Sequence, residues 1–132
     1  MGQQQILLIV LGSIIVGIAI VIGIDNFQSK AVQANRDAVI IDLNYLASDA
    51  LAYFKKTSTY GGGEQSFNGY DLPFQLKTND NGTYSVLSTQ PQKVIVEGIG
   101  VEKEGNLGCS GSNNIKYRII VEPEKTTLQK IN

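Results

Sequence analysis

Hydrophobic residues are distributed along this chain in three ways, each predicting a different element. From Ile6 to Ile24 (ILLIVLGSIIVGIAIVIGI), nineteen consecutive residues carry no formal charge. An apolar run of about 18 or more residues, rising about 1.5 Å per residue in a helix, can cross the hydrocarbon core of a bilayer. From Asp25 to about Lys56 there is neither Gly nor Pro, and apolar residues recur at helical spacing. After Tyr60, GlyGlyGly ends the helical pattern and strand-like runs replace it.

The middle stretch has more than one apolar face. Phe27, Ala31, Ala34, Ala38, Ile41, Tyr45 and Ala52 follow mostly four-then-three spacing and fall on one stripe. Val39, Leu43, Leu46, Ala50 and Tyr53 lie about a third of a turn round at 100° per residue and suit burial against the chain's own sheet. Ile40, Ala47 and Leu51 form a third face, so the helix is expected to be apolar on more sides than one small sheet covers. Joined to the apolar run, this stretch predicts a rod from about Gln5 to Lys56, on the order of 78 Å long. The competing arrangement is two helices meeting at the Ile24–Asp25 membrane edge, with a kink at Gly23.

Inside the apolar run, Ser13 and Gly17 are four apart, as are Ala19 and Gly23, which pairs small residues on the helix surface and lets another backbone come close. Gly is common in membrane helices in any case. The MGQQQ before the run has no Lys or Arg and GIDNFQ follows it, which fits a cleaved secretory signal poorly. A plain anchor and a helix that leaves the membrane to pack with copies of itself both remain open.

Beyond Tyr60 the pattern predicts an antiparallel sheet. Pro73 to Thr78 and Thr83 to Thr89 flank AsnAspAsnGly, a hairpin signal in which Asn and Gly tolerate positive φ. Gln92 to Glu102 and Asn114 to Glu122 read as two further strands, and Thr126 to Ile131 as a short edge strand. Ile115, Tyr117, Ile119 and Val121 share the face expected to cover Val39, Leu43 and Leu46, while Lys116, Arg118 and Glu122 take the other. Gly98-Ile-Gly100 sits inside a strand pattern and reads as a bulge, not a phosphate loop. The fold class is thus α+β: residues 1–24 an apolar assembly or membrane helix, 25–56 its amphipathic continuation, and 57–132 an antiparallel β-sheet head.

Composition narrows the chemistry. With 132 residues and a net charge of −1, the chain has room for an anchor and one small domain. Its 11 Lys and Arg form no run longer than Lys55-Lys56, which argues against a nucleic-acid surface. There is no His and only one Cys, so His-dependent base chemistry, Cys/His metal clusters and Cys–His nucleophiles are ruled out, and neither an enzyme nor a cofactor is expected. Cys109 lies in the Gly-rich Glu104 to Asn114 connection, the longest polar loop and a place where recognition residues often sit. Asn81-Gly82-Thr83 matches the glycosylation sequon, making Asn81 a candidate modification position, although the hairpin turn needs the same residues.

An N-terminal apolar helix continuing into an amphipathic helix and then an antiparallel sheet resembles the type IV pilin and pseudopilin superfamily. Only the N-terminal region carries the likeness in residue detail. In that family a glutamate fifth from the mature start helps to dock subunits; counted from Met1, Gln5 takes that place directly before Ile6-Leu7-Leu8-Ile9-Val10, and counted from a cut after Gly2, Leu7 does. Gln5 is a neutral stand-in that can exchange hydrogen bonds but cannot form an ion pair with a neighbour's terminal amine. The chain also lacks the family's mid-helix proline and, with one Cys, its C-terminal disulfide.

The resemblance implies a structural subunit of a pilus-like surface filament, a homopolymer held in the membrane before assembly, with an unknown surface ligand. Its assembly surface would comprise Gln5, Ile6, Leu7, Ile9, Val10, Ser13, Ile14, Gly17, Ile20 and Ile24, continued by Phe27, Ala31, Ala34 and Ala38. The alternatives are a pseudopilin-like part of a secretion machine and a membrane-tethered extracytoplasmic binding module.

Overall fold

A computed structural model describes residues 2–104 and 113–131. The pattern without Gly or Pro after Asp25 and the apolar run before it form one unbroken helix, α1 (Gly2–Lys55), 54 residues long and therefore about 80 Å from end to end. No break occurs at Gly23 or at the Ile24–Asp25 junction. The helix is long and apolar enough to cross a membrane.

The Gly-rich segment does more than stop the helix. The last carbonyls of an α-helix have no partner within it, and here the chain folds back so that Gly63 N donates to Tyr53 O (2.9 Å), Gln65 N to Phe54 O (2.8 Å) and Glu64 N to Lys56 O (3.0 Å). The reversal requires left-handed backbone at Gly61 (φ 75°), Glu64 (φ 49°) and Gln65 (φ 64°). For the two non-glycine residues that conformation costs about 1 kcal/mol or more each, and the capping bonds offset it.

A five-stranded antiparallel sheet follows, in the order β1 (Thr78–Asn79), β2 (Gly82–Gln90), β3 (Lys93–Glu104), β4 (Asn113–Val121), β5 (Thr126–Lys130). The inner face alternates as read: Ile115, Tyr117, Ile119 and Val121 are buried with Val94, Val96 and Tyr84 against Val39, Leu43, Leu46 and Ala50 of α1. On the outer face, Arg118 and Glu97 pair at 3.0 Å.

Three expectations need correction. Pro73 to Thr78 is not a strand. Pro73, with φ −51°, opens the single helical turn α2 (Phe74–Lys77), Leu76 N donates back to Pro73 O at 2.8 Å, and only Thr78 and Asn79 remain for β1; proline has no N–H to give a ladder. The hairpin turn does not use positive φ, since neither Asn81 nor Gly82 has it. Instead the Asn79 side-chain oxygen accepts from the N–H groups of both Asn81 and Gly82, each at 3.0 Å, an Asx-type turn.

The third helix face is not left over for a neighbour. Ala47 is buried, and Ile40 and Leu51 are half-buried against a core to which Phe67, Tyr70 and Leu72 contribute. The irregularity expected around Gly98-Ile-Gly100 is present on the β4 side, where the register shifts between Ile99 and Lys103, while on the β2 side Gly98 and Gly100 pair regularly with Tyr84 and Gly82. Both glycines sit where a side chain would collide: a Cβ on Gly98 would come within 3.0 Å of the Tyr84 ring and 3.2 Å of Val39 Cγ1, and one on Gly100 within 2.5 Å of Asn35 Oδ1.

Candidate assembly interface

Among the described residues, nothing packs on the first half of α1. Every residue from Gly2 to Lys30 is exposed, including Gln5, Ile6, Leu7, Ile9, Val10, Ser13, Ile14, Gly17, Ile20, Ile24 and Phe27. Fourteen large aliphatic side chains between Ile6 and Ile24 are exposed by half or more. Burying each is worth about 1.5–3 kcal/mol. This half is an exposed apolar surface, long and apolar enough to cross a membrane.

The small residues within it are open. A Cβ on Gly12, Gly17 or Gly23 would meet nothing within 4 Å. The Ser13 hydroxyl donates to its own helix at Val10 O (2.8 Å), so it offers a small surface without an unpaired donor. A helix brought against Ser13 and Gly17 could approach closely without displacing any part of this chain.

Above residue 30 the head covers one side of the helix and leaves the stripe bare. Phe27 (77% exposed), Ile41 (67%) and Tyr45 (61%) project from it, and Ala34 and Ala52 are exposed with them. Ala31 and Ala38 are half-buried because they sit at the margin of the stripe nearest the head. Of the residues expected to form the assembly surface, all lie on this one helix, and only these two are partly covered.

That margin is set by a row of polar residues that sequence reading missed. Asn35, Asp42 and Asp49 are seven apart, which places them in a line between the buried face and the stripe. Asn35 Nδ2 donates to Asn81 O (2.8 Å), while its Oδ1 accepts from Glu102 N (3.2 Å). Asp42 Oδ2 accepts from Tyr84 Oη (2.6 Å), Asn79 Nδ2 (2.9 Å) and Asn81 Nδ2 (2.9 Å). Asp49 Oδ2 accepts from Tyr70 Oη (3.0 Å). The signal was legible as heptad spacing of three short polar residues, but the partners lie 21 to 67 positions away in the chain.

These bonds account for the titration behaviour of the head. Burial pushes the Asp42 carboxyl up, but the bonds from Tyr84, Asn81 and Asn79 together outweigh it and leave it below the ordinary carboxylate value. Burial first, and then the facing aspartate, push the Tyr84 and Tyr70 hydroxyls well above the ordinary phenol value.

The remaining candidates are placed as follows. Asn81, the sequon residue, is half-buried, and the Nδ2 that would carry a glycan is the atom bonded to Asp42. A shallow cleft lies between Asp49 and Tyr53 on α1, Lys56 just beyond its end, and Gly69, Tyr70 and Asp71 beside it. Both of its carboxylates are engaged, Asp49 by Tyr70 and Asp71 by Lys77 at 2.8 Å. Among the described residues no three His, Cys, Asp or Glu side chains gather as they would around a metal. Cys109 and the greater part of the Glu104 to Asn114 loop lie outside the described residues.

No family model, no curated protein and no solved structure matches this chain.

Proposed function

We propose that this chain is the structural subunit of a pilus-like surface filament, in which apolar helix halves bundle at the axis and β-sheet heads form the wall. The observation that carries the reading is the continuity of α1. A bare apolar half and a bare apolar stripe lie on one rigid helix, with the head confined to the far side of its upper part. In the membrane, lipid surrounds Ile6 to Ile24; on assembly, helix–helix contacts replace it around Gln5, Ser13, Gly17 and the aliphatic residues between them. Heterologous contacts that repeat without closing give an open helical polymer.

Electron cryo-microscopy of material sheared from the cell surface, with mass spectrometry of its N-terminus, tests this. Fibres with Ile6 to Ile24 buried at the axis are expected. Short assemblies restricted to the envelope would favour a pseudopilin-like part instead. Protein retained in membranes as separate copies would favour a tethered binding module.

A further inference from the structure

We infer that Asn68 is a site of spontaneous covalent modification, at which the main-chain nitrogen of Gly69 attacks the side-chain amide and releases ammonia, while the head's own hydrogen bonds hold Asn81 out of the same reaction. Besides the chain the reaction uses only water, and it needs no second copy.

An asparagine amide is attacked most readily by the following main-chain nitrogen when that next residue is glycine, because a Cβ there crowds the ring that forms and restricts the backbone rotation that closes it. Of the asparagines in this chain, only Asn68 and Asn81 precede glycine. In the first step the Gly69 N–H gives its proton to solvent hydroxide as its nitrogen bonds to Asn68 Cγ. The Cγ–Nδ2 bond breaks, and Nδ2 takes a proton from water and leaves as ammonia. The cyclic imide then adds a water molecule, opening at one carbonyl to aspartate and at the other to isoaspartate. Nothing is oxidised or reduced.

The fold makes the two positions unequal. Asn68 and Gly69 are the middle residues of an exposed turn, closed by Tyr70 N donating to Phe67 O (3.1 Å), with Gly69 at φ 83°. Among the described residues, neither the Asn68 side-chain amide nor the Gly69 N–H has a hydrogen-bond partner. The peptide between them is tied only through Asn68 O, which accepts from Tyr53 Oη (3.0 Å). Attacking and attacked groups are therefore both free to turn, in contact with water.

At Asn81 each participant is held. Its Nδ2, the leaving group, donates to Asp42 Oδ2 (2.9 Å), and the Gly82 N–H that would attack donates to Asn79 Oδ1 (3.0 Å). The carbonyl between them accepts from Asn35 Nδ2 (2.8 Å) and Val101 N (3.2 Å), and Gly82 is buried. Closing the ring there would break the contacts that seat the head on α1.

Reaction at Asn68 brings a carboxylate to the mouth of the cleft where Asp49 and Asp71 already lie and Lys56 is the cation among the lining residues. The isoaspartate product also routes the main chain through an extra methylene, in the turn between buried Phe67 and buried Tyr70. The cleft thus grows more acidic, and its wall longer, as the protein ages.

The test follows the full-length chain in detergent, incubated in heavy-oxygen water at mildly alkaline pH, by peptide mass mapping over time. Isoaspartyl methyltransferase with a labelled methyl donor counts the isoaspartate independently. Heavy-oxygen label and isoaspartate are expected at residue 68, with Asn81 slower by about tenfold or more, the retardation that one hydrogen bond to a charged group supplies. Asn68→Gln should lose both signals at that position. A urea-unfolded sample, in which the folded contacts are gone, should react at both positions alike. Equal rates at Asn68 and Asn81 in the folded chain would overturn the protection of Asn81. An Asn68 that stays intact in the folded chain while the unfolded sample reacts would overturn the site.

Discussion

Tyr84 Oη donates to Asp42 Oδ2 at 2.6 Å, the shortest of three hydrogen bonds that this one carboxylate oxygen accepts from the β1–β2 hairpin. Asp42 is on α1 and its donors are on the head, so the contact fixes how the head sits on the rod. Asp42→Ala leaves three donors without their acceptor. It should destabilise the protein by about 2–3 kcal/mol, against about 1–2 kcal/mol for Tyr84→Phe, which leaves Asn79 and Asn81 bonded. Chemical unfolding of the full-length protein in detergent measures both; equal effects would mean that the asparagines contribute nothing.

The same carboxylate gives the head an acid dependence. Its folded pKa lies below the unfolded one. Its contribution is therefore complete above the unfolded value of about 3.9 and is lost as pH falls through the folded value. Asp42→Asn should flatten that acid limb when unfolding free energy is followed from neutral pH downward. Tyr84 and Tyr70 act with the opposite sign. Their raised values stabilise the fold below the ordinary phenol value of about 10, and that contribution is lost as pH rises beyond it. Tyrosinate absorbance should show Tyr84 and Tyr70 ionising late, together with unfolding.

Gly98→Ala tests why the helix packs so close to the sheet. Its new methyl would lie 3.0 Å from the Tyr84 ring and 3.2 Å from Val39 Cγ1. Neither neighbour yields easily, because Tyr84 is held by Asp42 and Val39 is fully buried in the core. A loss of about 1–3 kcal/mol is expected, the range for overpacking a filled interior. An unchanged denaturation midpoint would mean that helix and sheet can separate at no cost.

The long elements were legible because each depends on a periodic signal. The buried set Val39, Leu43, Leu46 and Ala50 and the inner face of β4 follow from spacing alone, and both are buried as expected. Tyr53 is only half-buried, since its hydroxyl reaches out to Asn68 O. The segment from Gly61 to Leu72 was not legible. Its burial of Phe67, Tyr70 and Leu72 against α1 arises from a chain reversal specified by individual left-handed residues, which have no period. The polar row Asn35, Asp42 and Asp49 was hidden for a different reason: short polar residues on a helix read as solvated until distant partners are brought to them. The exposed apolar first half of α1 was the most legible part, because an uninterrupted apolar run needs no distant partner to be recognised.

Gly17→Leu separates folding from assembly most cleanly. A side chain at Gly17 meets nothing within 4 Å in the isolated chain, and the head begins well beyond it. The substitution adds a good helix former in place of Gly, which favours α1 by roughly 0.5–1 kcal/mol. A bulky group beside Ser13 would nevertheless hold a neighbouring helix away from the small-residue face. Detergent unfolding should be unchanged or slightly strengthened, while fibre yield on cells falls about tenfold, the effect of losing roughly 1.4 kcal/mol per contact. Normal yield and unaltered helical geometry would mean that the Ser13–Gly17 face does not lie between subunits, and the bundle would then have to be built on the opposite face of the helix.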